Sequence, residues 1–138
     1  MTSSEERHAT KLIVVDDSAA LRHEMRDHLE RLGYSGVLAV TDAERALQLL
    51  SVTPGIGGII TGTKIPGLGG LGLLREIRAT DSGQRLPVLV MIEPGDEATI
   101  ALASTLGASG YIEKPIRPEI LRKKLLFILA PRLTEVVG

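Results

Sequence analysis

Short apolar runs, each too brief for an ordinary helix, alternate along this chain with segments of helical period. The runs fall at residues 12–15, 37–40, 58–61, 87–92 and 109–112. The first, Leu12-Ile13-Val14-Val15, has no internal polar residue, as expected of a central strand covered on both faces. After it, Ser18 is a good N-cap, Leu21, Met25, His28, Leu29 and Leu32 recur at helical spacing, and Gly33 supplies a stop. Thr41-Asp42-Ala43-Glu44 has the pattern of a capping box, with Ala43, Ala46, Leu47 and Leu50 forming one face of a second helix. Residues 71–79 and 96–106 predict two more helices, the second stopped by Gly107. Pro118 opens a last one, carrying Leu121, Leu125 and Ile128 inward to about residue 130. Five strand–helix units of this kind predict an α/β protein with a doubly wound parallel sheet.

The strand order expected for such a sheet is the flavodoxin-like 2-1-3-4-5, a (βα)5 three-layer sandwich. At 138 residues the chain reads as one domain, since domains run to roughly 100–200 residues. Residues 1–10 are expected to be a flexible N-terminal tail, 11–130 the folded domain, and 131–138 a tail or truncated linker. A formal net charge of −1 gives no electrostatic case for nucleic acid or an anionic membrane. Two tyrosines, one phenylalanine and no tryptophan leave almost nothing on which bases could stack. The absence of cysteine rules out disulfides and thiolate metal sites. There is no apolar leader and no stretch near the ~20 apolar residues a membrane helix needs, so a cytoplasmic location is expected.

Ligands of such sheets bind beyond the carboxyl ends of the strands, beside strand 1. That rule gathers Asp16, Asp17, Gly62, Thr63, Lys64, Ile92, Glu93 and Lys114 around one crevice. Consecutive carboxylates at a strand end suit Mg²⁺, a hard cation that takes oxygen ligands. The elements Val14-Val15-Asp16-Asp17-Ser18, Pro66-Gly67, and Gly107-Ala108-Ser109-Gly110-Tyr111 followed by Lys114-Pro115 occur in that order. Together they resemble the receiver domain of two-component response regulators, over nearly the whole chain.

The resemblance implies an acidic pair for Mg²⁺, an acceptor aspartate four residues before the loop proline, and a lysine that contacts the phosphoryl group. Asp16 and Asp17 match the pair and Lys114 the lysine, but the acceptor position holds Gly62, which has no side chain to phosphorylate. The switch hydroxyl corresponds to Ile92, the small residue after it to Glu93, an anion that would repel phosphate, and the loop's acidic or amide residue to Gly69. Thr61 and Thr63 flank Gly62 but should face away from it on a strand. Tyr111 matches the switch aromatic and is expected to pack in one rotamer. Lys114 first and Lys64 second are the internal cations that could neutralise Asp16 or Asp17.

Three other features carry less. His8, His23 and His28 lack metal-ligand spacing, and residues 67–72 lack the lysine of a phosphate loop. An acidic pair after strand 1 also opposes a flavin phosphate.

These residues imply a degenerate receiver, not an enzyme, with a vestigial site at Asp16, Asp17, Gly62, Ile92, Glu93 and Lys114. It would need no cofactor, with at most weak Mg²⁺ at Asp16 and Asp17. Its partners would be a histidine kinase, an output domain or another signalling protein. Homodimerisation would use the face of the fourth helix, fifth strand and fifth helix, where Arg117, Arg122, Lys123 and Lys124 lie. A second reading keeps a divalent cation or small ligand in the crevice. A third treats Gly62 as an introduced substitution in an ordinary receiver.

Overall fold

The computed structural model describes residues 4–129; residues 130–138, expected to hold a helix end and a tail or linker, lie outside them. The elements run α1 (Ser4–Ala9), β1 (Lys11–Val15), α2 (Ala19–Arg31), β2 (Gly36–Val40), α3 (Ala43–Val52), β3 (Ile56–Gly62), α4 (Gly69–Arg78), β4 (Val88–Ile92), α5 (Glu97–Thr105), β5 (Gly110–Glu113) and α6 (Pro118–Leu129). All strand pairs are parallel, in the order β2-β1-β3-β4-β5. This is the doubly wound, flavodoxin-like sheet that the alternation of runs and helices predicts.

Burial follows the pattern that made the strands readable. On β1, Leu12 and Val14 join one core cluster with Met25, Leu29, Leu121 and Leu125 of α2 and α6. Ile13 and Val15 join the other, with Ala43, Ala46, Leu73, Leu74 and Ile77 of α3 and α4. A central strand that feeds two cores has no polar face, which is why it reads as an unbroken apolar run.

Three local features differ from the sequence reading. Residues 4–9 form a helix where a tail was expected. Glu5 and Glu6 lie in its first turn and Arg7 and His8 in its last, the charge order a helix dipole favours. Its end is closed by Thr10, whose N–H and hydroxyl both donate to the Glu6 carbonyl. Ser35 Oγ lies 3.0 Å from His8 Nδ1, docking the helix on the loop before β2. At α3 the N-cap is Asp42 rather than Thr41, so the capping box is not formed. Asp42 accepts the Arg45 N–H, and the Thr41 hydroxyl donates to Asp42 instead. Last, α4 starts at Gly69, two residues earlier than expected.

No signal in the sequence marked Arg78, at the end of α4. Its guanidinium donates to the carbonyls of Gly83, Leu86 and Gly107, tying the α4–β4 and α5–β5 connections together. These bonds close the end of the sheet opposite the crevice.

Candidate functional site

Register alone sets two of the site's neighbours. The β1–β3 ladder ends with Val15 beside Thr61, so the next residues along are Asp16 and Gly62. The β4–β5 ladder ends with Ile92 beside Glu113, so the next are Glu93 and Lys114. Parallel strands therefore deliver all four residues to one end of the sheet.

Asp16 is buried, 1% exposed. One carboxylate oxygen, Oδ1, accepts the Ser18 N–H at 2.9 Å, and its carbonyl accepts Arg22 Nη1 at 2.8 Å. The other, Oδ2, lies directly over Gly62: a Cβ built at position 62 would collide with it. The Asp16 carboxylate thus fills the space that a side chain at 62 would need. Asp17, by contrast, is exposed.

Lys114 reaches into the crevice from the turn after β5. Its N–H donates to the Ile92 carbonyl at 2.8 Å, and the Lys114–Pro115 peptide is cis. Its ammonium lies 2.9 Å from Glu93 Oε2 and 3.4 Å from Asp16 Oδ2. Burial by itself would lower the pKa of this lysine. The Glu93 hydrogen bond and the charges of Asp16 and Glu93 outweigh that effect and hold it above the ordinary lysine value. The expected pairing of Lys114 with the acidic pair holds for Asp16. Glu93, read from sequence only as an anion hostile to phosphate, supplies the shorter contact.

The remaining residues divide. Lys64 is exposed and makes no ion pair with Asp16 or Asp17 among the described residues; its charge acts on Asp96 instead. Its position two residues past Gly62 carries it out of the strand and away from the crevice floor. Ile92 is wholly buried in the core with Val90 and Ala103. Tyr111 is not packed inside: it is 38% exposed, with the Lys124 ammonium 4.6 Å from its ring centroid. The Thr61 hydroxyl donates to the Gly62 carbonyl at 2.9 Å, while Thr63 Oγ1 is buried without a hydrogen-bond partner.

The glycines after Pro66 have a packing reason that composition could not reveal. Gly69 adopts φ 74°, and a Cβ at Gly70 would collide with the Gly62 carbonyl. Gly70 N–H donates to the Thr63 carbonyl at 3.0 Å, so α4 begins pressed against the backbone of Gly62 and Thr63.

A magnesium ion asks for several oxygen ligands in octahedral array. Here one carboxylate of the acidic pair already receives an N–H and an ammonium, and the other faces solvent. No group of three carboxylates or imidazoles among the described residues is placed to hold a metal. The residues present do not fit the ion.

The sequence pattern of the response regulator receiver domain matches residues 12–126. The chain belongs to that family. Over 119 residues it is 33% identical to chemotaxis protein CheY1 of Helicobacter pylori strain J99, covering 86% of this chain and 96% of that protein. A putative response regulator from Chloroflexus aurantiacus superposes with a TM-score of 0.82 at 28% identity, covering 88% of this receiver and 98% of that chain. The receiver domain of sensor histidine kinase PA1611 from Pseudomonas aeruginosa, at TM-score 0.76 and 24% identity, covers 87% and 98% and has a magnesium ion coordinated in its active-site cleft. No helix of the described residues is long and apolar enough to cross a membrane.

Proposed function

We propose that this receiver takes part in two-component signalling without phosphorylation at position 62, acting as a protein–protein interaction module rather than an enzyme. The observation that carries the reading is the pairing of Gly62 with Asp16: the acceptor position has no nucleophile, and a buried carboxylate occupies the space above it. Two independent departures support it. Ile92 presents a buried aliphatic side chain where a phosphoryl oxygen would need a hydroxyl, and Glu93 places a negative charge beside Lys114. An incoming phosphate dianion would meet the more exposed Glu93 carboxylate beside the ammonium, with the buried Asp16 carboxylate on the ammonium's other side.

The partner is a signalling protein such as a histidine kinase or an output domain. The face that suits it is α5–β5–α6, through which a second copy could also dock. There Tyr111, Arg117, Ile120 and Lys124 line a groove of about 550 Å³, and Arg122 and Lys123 extend the basic exterior of α6. Incubation with acetyl phosphate and Mg²⁺ should leave the intact mass unchanged, and beryllofluoride should leave the tryptic pattern unchanged. A stoichiometric phosphoryl adduct labile to hydroxylamine refutes the reading.

A further inference from the structure

We infer that the crevice carries its own cation: Lys114, held in place by Glu93, takes the electrostatic position of a divalent metal and keeps such metals out. The inference deepens the reading above and rests on it for the crevice being spared phosphate chemistry.

Three observations converge. The strand register sets Asp16 beside Gly62 and Glu93 beside Lys114, so the ladders bring the paired residues to one end of the sheet. Because Gly62 has no side chain, Asp16 Oδ2 can lie over it, within 3.4 Å of the Lys114 ammonium. Glu93, which replaces nothing a metal site requires, gives that ammonium its nearest anion at 2.9 Å. Asp16, Glu93 and Lys114 together carry one net negative charge, and the exposed Asp17 adds another at the crevice mouth. A divalent cation could enter only by driving the ammonium off both partners, because like charges at contact distance repel strongly in a partly buried site. Glu93 is thus a positioning residue that acts through Lys114, and Gly62 is the vacancy that lets Asp16 reach it.

The test compares wild type, Lys114→Met, Glu93→Gln and Lys114→Met/Glu93→Gln. Two readouts are used: thermal melts with and without Mg²⁺, and Mn²⁺ broadening of the Asp16, Asp17 and Gly62 amide signals by NMR. Wild type should gain no melting temperature from Mg²⁺ and show no selective broadening. Lys114→Met should melt lower, broaden selectively at these amides, and bind Mn²⁺ at least about tenfold more tightly, read also as a metal-dependent rise in melting temperature. Glu93→Gln alone should bind Mn²⁺ more tightly than wild type but less tightly than Lys114→Met, because Lys114 loses its nearer anion. In the Lys114→Met background the Glu93 change should add little, because Glu93 acts through Lys114. Selective broadening of wild type at the concentration that broadens Lys114→Met overturns the inference, and so does a Lys114→Met protein that gains nothing. If Lys114→Met does not fold, the wild-type Mn²⁺ titration still decides. Metal binding by wild type without a phosphoryl adduct defeats this inference and leaves the proposed function standing; an adduct defeats both.

Discussion

At position 62 even a methyl group would have to displace the Asp16 carboxylate, which the Ser18 N–H and the Lys114 ammonium hold in place. Gly62→Ala should therefore lose roughly 1–3 kcal/mol, the usual cost of overpacking a buried site, in urea denaturation. Adding Asp16→Ala should cost less than it does in wild type, giving a coupling above about 0.5 kcal/mol in a double-mutant cycle; strict additivity would show that the two residues do not share this space. Gly62→Asp restores a nucleophile but brings a second carboxylate into the same volume. It still lacks a hydroxyl at Ile92, and Lys114 stays drawn to Glu93. This mutant is expected to remain poorly phosphorylated by acetyl phosphate, and rapid Mg²⁺-dependent adduct formation in it would instead favour Gly62 as an introduced substitution.

Helix ends and the connections between elements supply a second set of expectations. Asp96 caps α5 by accepting both the N–H and the hydroxyl of Thr99, bonds that hold its carboxyl below the ordinary carboxylate value of 3.8. A depressed folded-state pKa stabilises above the unfolded value and ceases to as pH falls through the folded one. Asp96→Asn, which can still cap but carries no charge, should lose part of the stability wild type has above pH 3.8, and the difference in melting temperature should shrink as pH falls below that value. Arg78 is the larger lever. Its guanidinium satisfies three carbonyls from two connections, so Arg78→Ala leaves partly buried acceptors unpaired. The expected loss is on the order of 2–4 kcal/mol by urea denaturation. Lysine should rescue only part of it, because a point charge cannot serve the forked geometry.

Across the whole molecule, Lys114 links the ends of β1 and β4 to the last strand, spanning 98 positions of sequence to reach Asp16. Its pKa lies above the ordinary lysine value of 10.5, so the link stabilises fully below that value and is lost as pH rises through the higher folded one. Wild type should therefore lose stability above pH 10.5 in a step that Lys114→Met does not show. The link also joins the turns that follow β4 and β5. Breaking it should alter hydrogen exchange in the β4–α5 and β5–α6 turns before it alters exchange in β1 or β3, whose residues lie in the closed core.

Strands, helices and their order were legible because each rests on a local pattern. An apolar run such as residues 12–15 predicts a strand covered on both faces, and Ser18 and Gly33 mark the ends of α2 wherever the helix packs. The placement of Asp16, Gly62 and Lys114 at one end of the sheet was legible too, since each follows directly on an apolar run that reads as a strand or lies at its end. Helix α1 was missed because five polar residues and one alanine have no apolar periodicity; charge order, closure by Thr10 and docking against Ser35 support it. The nearer partner of Lys114, Glu93, the outward turn of Lys64 and the exposure of Tyr111 could not be read either. A sequence states which charges exist, but the distance between two of them depends on strand register and on the space a missing side chain leaves. The chain by itself determined that Gly62 carries no nucleophile. Only the tertiary structure decided that Asp16 would fill that space and that Glu93 would hold the lysine, because both contacts join residues from different strands of one parallel sheet.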